Sequence, residues 1–345
     1  MRRRTRKKRK YRPAWYLWAG AVFIFFCLVY NALLFILPAE FHGVQKQIVV
    51  PRGATFNQVA QILDAAGVLR SPTRFSLMAR LLKVTGRVQA GEYEVSTSML
   101  PQVILGKLVT GDVIRYRLVV PEGYTVRQIA ARLFELGISQ DEEAFLTTAF
   151  AADTAARLGI KGKGVEGYLF PDTYLFSKGL PPIEIIQTMV ARFQQVYGPA
   201  SVRRAAELGM TDKQIVTLAS IIEKETGAPA ERPLISAVFH NRLKRGMPLC
   251  SDPTVIYGIK DFDGNLRKRD LQRMTPYNTY VIHGLPPGPI ASPGEAAISA
   301  ALYPAQVDYL YFVSRNDGTH QFSSTLREHN EAVWRYQKGG RRAAR

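Results

Sequence analysis

Thr211-Asp212-Lys213-Gln214-Ile215-Val216-Thr217-Leu218-Ala219-Ser220-Ile221-Ile222-Glu223-Lys224-Glu225-Thr226-Gly227 reads as a helix with both of its ends encoded. Thr211 and Gln214 form a capping-box pair at the start. Ile215, Leu218, Ala219 and Ile222 recur at spacings of three and four, which predicts one buried stripe. Gly227 and Pro229 stop the helix. Two carboxylates, Glu223 and Glu225, fall in the last turn, where the helix dipole disfavours negative charge. Either both are solvated acids balanced by Lys224, or one is kept there for its chemistry. A carboxyl group partly withdrawn from water at the end of an apolar helix has a raised pKa and can donate a proton near neutrality. At about 100° per residue the two lie on opposite shoulders of the stripe. Glu225 shares its shoulder with Leu218, Ile221 and Ile222, and Glu223 shares the other with Val216, Ala219 and Ser220. The bulkier surround favours Glu225 as the desolvated acid, with Glu223 as the alternative.

Around this helix, from Val165 onward, Gly, Pro, Tyr and Asn crowd the connecting segments. Loops of that kind, held by helices, are where binding chemistry usually sits. A Gly/Lys run, Ile160-Lys161-Gly162-Lys163-Gly164, predicts a domain boundary upstream. Beyond it lies an internal repeat: Val49-Val50-Pro51-Arg52-Gly53-Ala54-Thr55 recurs as Val119-Val120-Pro121-Glu122-Gly123-Tyr124-Thr125. Each copy continues into a helical pattern, Val59, Ile62 and Leu63 before Gly67, and Ile129, Leu133 and Leu136 before Gly137. Strand, Pro-x-Gly turn, Thr N-cap and helix read as one unit used twice. Ala90 to Val95 and Val113 to Val120 are further predicted strands. The unit resembles the LysM-like module, whose sugar-binding forms recognise N-acetylglucosamine polymers; the alternative is an α+β spacer that positions the C-terminal domain.

The N-terminus has a different character. Residues 2–12 hold nine Lys or Arg and no acid, and Tyr16 to Leu37 then runs 22 residues without a charge. Such a stretch spans the ~30 Å hydrocarbon core as a helix. Trp15, Tyr16 and Trp18 sit at its basic end, and the positive-inside rule puts the tail in the cytoplasm and the remainder outside, at the inner membrane. A cleaved signal peptide is the alternative, but the apolar run is long for one and no small-x-small cleavage site comes after it. Of the net charge of +18, nine sit in this tail and four more are Lys338, Arg341, Arg342 and Arg345, leaving about +5 for everything between. Nucleic-acid binding needs basic charge on the folded body, so it is not expected. The juxtamembrane cluster suits anionic lipid headgroups instead. Cys27 and Cys250 lie too far apart in the chain's organisation to suggest a disulfide.

Leu218-Ala219-Ser220-Ile221-Ile222-Glu223-Lys224-Glu225-Thr226 resembles the signature of the endolytic murein transglycosylases, the YceG-like family. Glu225-Thr226 is also similar to the Glu-Ser pair that closes the active-site helix of lysozyme-like lytic transglycosylases. Other segments match the family in order: Glu166-Gly167-Tyr168-Leu169-Phe170-Pro171-Asp172-Thr173-Tyr174, Asn241-Arg242-Leu243 and Ser251-Asp252-Pro253-Thr254-Val255-Ile256-Tyr257-Gly258. Tyr277-Asn278-Thr279-Tyr280, Gly284-Leu285-Pro286-Pro287-Gly288-Pro289-Ile290, His320, Phe322 and His329-Asn330 continue the pattern. The resemblance implies peptidoglycan glycan as substrate and non-hydrolytic cleavage of its β-1,4 bond. Glu225 would protonate the glycosidic oxygen, then as carboxylate take the proton from the muramoyl C6 hydroxyl, whose attack on C1 leaves a 1,6-anhydro end. An ordinary glycosidase needs two carboxyl groups flanking the bond, roughly 5–9.5 Å apart. Glu223 and Glu225 diverge and cannot flank one bond, but Asp172 or Asp252 could supply a second carboxyl, so hydrolysis stays open. The resemblance also implies peptidoglycan synthases, the penicillin-binding proteins, as partners.

Tyr168, Phe170, Tyr174, Tyr277 and Tyr280 can stack on sugar faces or fill the core. Asn241, Asn278 and Thr279 can hydrogen-bond acetamido groups, and Asn278 could stabilise developing charge. Pro286-Pro287 with Gly288 makes a stiff wall. No H-E-x-x-H or cysteine-pair spacing calls for a metal, and no phosphate loop, G-x-S-x-G elbow or dinucleotide fingerprint calls for a cofactor; His320 and His329 read as loop buttresses. The expected fold is α+β. It runs from a basic tail (1–15) through a transmembrane helix (16–37) and a LysM-like subdomain (48–118) to a second strand–turn–helix unit and linker (119–160). A mixed α+β catalytic domain with a lysozyme-like active-site helix (165–337) and a basic tail (338–345) complete the chain.

Overall fold

The computed structural model describes residues 15–338, leaving out the side chains at 32–34. The expected basic tails, up to residue 14 and from residue 339, lie outside the described residues. The described residues divide into two compact units that meet between residues 115 and 116.

The first unit holds α1 (Trp15–Ile36), β1 (Gln45–Val50), α2 (Phe56–Ala65), α3 (Pro72–Leu81), β2 (Gly91–Ser96) and α4 (Pro101–Thr110). Helix α1 covers 22 residues, none of them charged, and exposes large apolar side chains such as Trp18, Phe23 and Phe26. With the side chains at 32–34 set aside, no described stretch is long and apolar enough to cross a membrane. β1 and β2 pair antiparallel with Ile48 opposite Tyr93. Val59 and Leu63 of α2 and Ile104 and Leu108 of α4 pack with them into one core. Tyr93 is the bulkiest side chain there, and its hydroxyl donates to the Gln89 carbonyl at 2.6 Å, which satisfies the buried polar atom.

The second unit holds β3 (Tyr116–Val119), α5 (Val126–Glu135), α6 (Glu142–Phe150), α7 (Ala152–Arg157), β4 (Thr173–Phe176), α8 (Pro182–Val196) and α9 (Pro199–Glu207). It continues with α10 (Asp212–Glu225), α11 (Arg232–Lys244), α12 (Asp252–Tyr257), α13 (Lys268–Leu271), α14 (Glu295–Leu302), β5 (Tyr311–Ser314), β6 (His320–Ser323) and α15 (Leu326–Val333). The described strands form small antiparallel pairs, and the class is α+β as expected.

Both copies of the repeat take the predicted local form. Thr55 and Thr125 each close a capping box, with Gln58 and Gln128. Gly53 and Gly123 adopt φ of 75° and 76°, a region open to glycine and strained for other residues. The division of the chain differs from the expectation. The Gly/Lys run at 160–164 is not a boundary, because β3 pairs with β4 across it, Leu118 opposite Tyr174. One continuous core then runs from Leu118 to Leu302. The second repeat copy is therefore part of the larger unit and not a linker to it.

Helix α10 also departs from the predicted stripe. Residues 215–222 are buried in unbroken succession, so every face is covered. The helix packs against α11, α12 and α14, which makes it the central strut of the unit. Its polar members are satisfied internally: Thr217 donates to the Lys213 carbonyl at 2.7 Å, and Ser220 donates to the Thr217 carbonyl and accepts from the Ile290 N–H.

Candidate active site

The strut ends at Glu223 and Glu225, and the two carboxyl groups meet different surroundings. The Glu223 side chain is only 7% exposed, more enclosed than its small neighbours on the helical wheel suggested. It is also fully partnered. Arg232 lies 3.3 Å from one oxygen, and the other accepts the N–H of Gly294 at 3.0 Å. Gly294 is the N-cap of α14, where the helix dipole favours an anion. Glu223 is held in place by these two contacts.

Glu225 is partly buried and has no cationic side chain bonded to it among the described residues. Its Oε1 accepts the Ser251 hydroxyl at 2.6 Å. Burial pushes its carboxyl up to about 6, Asp252 pushes the same way, and Ser251, His320 and Arg242 pull it back. A neutral carboxylic acid is thus available close to neutral pH, at the position chosen from the sequence.

The neighbours are fixed by their own bonds. The Ser251 N–H donates to Thr279 Oγ1 at 2.9 Å, and Thr279 shares a hydroxyl contact of 2.8 Å with Thr254. Asp252 opens α12 and accepts the Tyr280 hydroxyl at 2.6 Å. Arg242 gives its donors to the carbonyls of Leu310 and Leu249, so it acts on Glu225 through its field alone. His320 is bonded through Nδ1 to Glu231 at 2.7 Å. Glu225, Asp252, Thr279 and Tyr280, which stand in three separate segments of the sequence, are therefore linked through Ser251 and its neighbours.

The other expected binding residues make bonds and packing contacts within the unit, and Tyr168 and Tyr277 also line a cavity. Tyr168, Phe170 and Tyr174 are buried; Tyr168 packs edge-on against Phe193, and the Tyr174 hydroxyl donates to the Phe170 carbonyl at 2.6 Å. Asp172 is bonded to Arg192 at 2.7 Å and to the Thr173 N–H. Asn241 donates to the Val307 and Tyr309 carbonyls. Asn278 is fully buried, and its amide nitrogen serves the carbonyls of Asp270, Leu271 and Arg273. It has no group left for an acetamido oxygen. Its role is to hold the loop that presents Tyr280, whose N–H it accepts at 3.0 Å. Tyr277 leans on Tyr257 with ring centroids 4.8 Å apart.

The sequence assigns no individual role to Ser251, Arg232 or Glu231, and reads His320 only as a loop buttress. Ser251 lies 26 residues from its partner, and nothing in the spacing announces the contact. The largest cavity described, about 570 Å³ between α8, α9 and the start of α10, does not include Glu225 either.

Glu225, bonded to Ser251 and within the field of Asp252, is the candidate acid–base group on an α+β frame. Residues 48–335 match the model of the YceG-like family, and the chain belongs to that family. A Bacillus subtilis (strain 168) relative named endolytic murein transglycosylase is 33% identical over 302 residues, spanning 83% of each chain. A Streptococcus pneumoniae (D39) protein of the same name is 30% identical over 315 residues, 82% of this chain and 57% of its own length. In structure, the chain is similar to a yceG-like protein of Listeria monocytogenes, lmo1499. The TM-score is 0.58 at 33% identity, with 84% of this chain and all of the other covered.

Proposed function

We propose that this protein cuts peptidoglycan glycan endolytically, at the β-1,4 bond between N-acetylmuramic acid and N-acetylglucosamine, leaving a 1,6-anhydromuramoyl end. It is a lytic transglycosylase, hence a lyase, by its place among the relatives that carry that name. The observation that carries the finer reading is the Glu225–Ser251 pair: one desolvated carboxyl, its pKa raised to about 6, with one oxygen oriented by a short hydrogen bond. In the protonated state Glu225 donates to the leaving glycosidic oxygen. As carboxylate it then accepts the proton of the muramoyl C6 hydroxyl as that oxygen attacks C1. Asp252 acts on Glu225 electrostatically and supports a hydrolytic alternative, in which water takes the place of the C6 hydroxyl.

Mass spectrometry of polymeric glycan digested by the purified protein tests the proposal. New 1,6-anhydro ends are expected. Free reducing ends would replace the transglycosylase with a hydrolase, and no cleavage would leave a glycan-binding scaffold. In the cell the reaction would end or trim nascent strands beside peptidoglycan synthases. Helix α1, uncharged through 22 residues, supports anchorage in the inner membrane with the larger unit outside. A reporter fused after Arg345 that works only outside the membrane should be active; a silent one would reverse the orientation. The first repeat copy, whose turn and helix line a hollow with Gln58 and Gln61, supports a LysM-like glycan contact. Sedimentation with purified sacculi tests that contact.

A further inference from the structure

The second unit carries another built site. A cavity of about 260 Å³ opens between the Gly/Lys run at 161–164 and the segment Pro287-Gly288-Pro289. Its floor is set by a close backbone approach. Gly167 has φ of 84°, and a Cβ there would fall 2.3 Å from Pro289, so only glycine lets the proline segment seat on it. Beside it Glu166 is buried and accepts the Val126 N–H and the Tyr257 hydroxyl, each at 3.1 Å. The tilted Tyr257–Tyr277 pair also lines the cavity.

The charge of this lining is one-sided. Lys161, Lys163 and Lys213 line it, and Glu166 is the one acid among the lining residues. Glu166 already has its two donors, and none of the three lysines takes part in an ion pair among the described residues. Lys161 and Lys213 also border the larger neighbouring cavity, so they stand on the ridge between the two hollows. Lysines and aromatic residues lining one cavity fit a carboxylate carried on an apolar or amide body. The cavity is tied to the candidate active site by α12, whose first residue, Asp252, acts on Glu225 and whose last, Tyr257, lines the cavity. The helix axis between those two residues measures ~8 Å. Lys213, at the other end of α10, stands ~18 Å from Glu225 along the helix axis, so a substrate lying across Glu225 reaches the lysines with an extended side branch.

We propose that this cavity is a subsite for the carboxylate-bearing peptide stem of a muramoyl unit next to the scissile bond, with Lys161, Lys163 and Lys213 as its anion-binding groups. This rests on the peptidoglycan reading above and adds a preference for strands that still carry charged stems.

The test uses the full chain and three forms of one glycan preparation. The first has intact stems, the second has stem carboxylates converted to methylamides, and the third has stems removed, exposing only the lactyl carboxylate. The wild type should show a KM roughly tenfold lower for intact strands than for amidated ones, as expected for a few partly exposed ion pairs acting together. In the K161A/K163A/K213A variant that difference should collapse to less than twofold. Restoring arginine at the three positions should bring it back, which separates loss of charge from loss of fold. Stem-free strands should behave like amidated ones. Equal KM values for intact and amidated strands in the wild type would overturn the proposal. So would a variant that keeps the discrimination, or stem-free strands that bind as well as intact ones. Failure to cleave any of the three would instead remove the catalytic reading on which the subsite rests.

Discussion

The two copies of the repeat share a local structure and differ in what they touch. In each, a strand ends in Val-Val-Pro, a glycine turns with φ near 75°, and a threonine caps the next helix. In the first copy the space beyond Gly53 is empty: no atom lies within 4 Å of where a Cβ would stand. In the second copy the equivalent turn is clamped. The Gly123 N–H donates to the Ser292 carbonyl at 2.8 Å, and the Ser292 N–H returns a bond to the Tyr124 carbonyl at 2.7 Å. The side chains of Lys224 and Glu223 come within 3.5 and 3.7 Å of the same point. One residue of the turn also changes sign, Arg52 in the first copy and Glu122 in the second. Glu122 lies 3.6 Å from Arg232, which bridges it to Glu223. The same local code thus builds a turn with open space beyond its glycine in one place and a brace for the end of α10 in the other. Only the long-range partners make the difference.

If the second copy braces the helix while Glu225 does the chemistry, the two glutamates should respond in opposite directions. Glu225→Gln should lower the cleavage rate by ~10²–10⁴ or more, since one group serves as acid and then as base. It should also stabilise the protein. A carboxyl whose folded pKa is raised contributes stability that is present below its ordinary value of 4.5 and lost as pH rises through about 6. At pH 8 that penalty is about 2 kcal/mol, since each pH unit between the two values is worth about 1.36 kcal/mol, and Gln removes it. Glu223→Gln keeps an acceptor for Gly294 but leaves Arg232 with the 3.6 Å contact to Glu122 alone. The expected result is a loss of about 1–3 kcal/mol and an activity loss within about tenfold, because removing one partner of an enclosed pair strands the other. Thermal melts and turnover on polymeric glycan check both. Two melting shifts of the same sign would break the contrast.

The parts of this site that could be read in the sequence are those encoded locally. The start and end of α10 follow from Thr211, Gln214 and Gly227, and both turns follow from a glycine placed before a threonine cap. Bulky residues three, four and seven positions away favour Glu225 on the helical wheel, but the wheel does not show that Glu223 is enclosed as well, by Arg232 and Gly294. The rest depends on contacts between distant segments. An asparagine in a loop motif looks the same whether it faces a ligand or, like Asn278, gives its amide to three internal carbonyls. Aromatic residue type does not disclose the face it will occupy, so Tyr168, Phe170 and Tyr174 were as compatible with sugar stacking as with the core they fill. The β3–β4 pairing joins segments more than 50 residues apart, and without it the Gly/Lys run looks like a boundary.

A second contrast separates the brace from the hydrogen bond. The acid form of Glu225 is the active one in the first step, so kcat/KM should fall about tenfold per pH unit above an apparent pKa near 6. The Ser251 hydroxyl stabilises the carboxylate, so Ser251→Ala should move that alkaline limb to higher pH. Loosening the brace acts on position and not on the charge around Glu225. Gly123→Ala should therefore lower kcat/KM at every pH without displacing the limb. A limb that stays fixed in Ser251→Ala would mean that the short contact does not set the acidity of Glu225.

The smallest expected effects come from the two turn glycines themselves, and they bear most directly on the comparison. Alanine in a left-handed turn costs roughly 1–2 kcal/mol wherever it is placed. Both Gly53→Ala and Gly123→Ala should carry that local strain. Their functional consequences should part. At Gly123 the strained turn pulls on its bond to Ser292, on Lys224 and through them on Glu223 and the α14 N-terminus. A drop in turnover of about three- to tenfold is expected, as for a small misplacement of a reacting group. At Gly53 the turn lines an open hollow with Gln58 and Gln61, so turnover of short soluble strands should change less than twofold while retention on purified sacculi declines. Equal effects of the two substitutions on turnover would show that the clamp around Gly123 carries no force to the active helix. Undiminished sacculus binding by Gly53→Ala would leave the first copy as a spacer, with its likeness to a sugar-binding module confined to the local chain path.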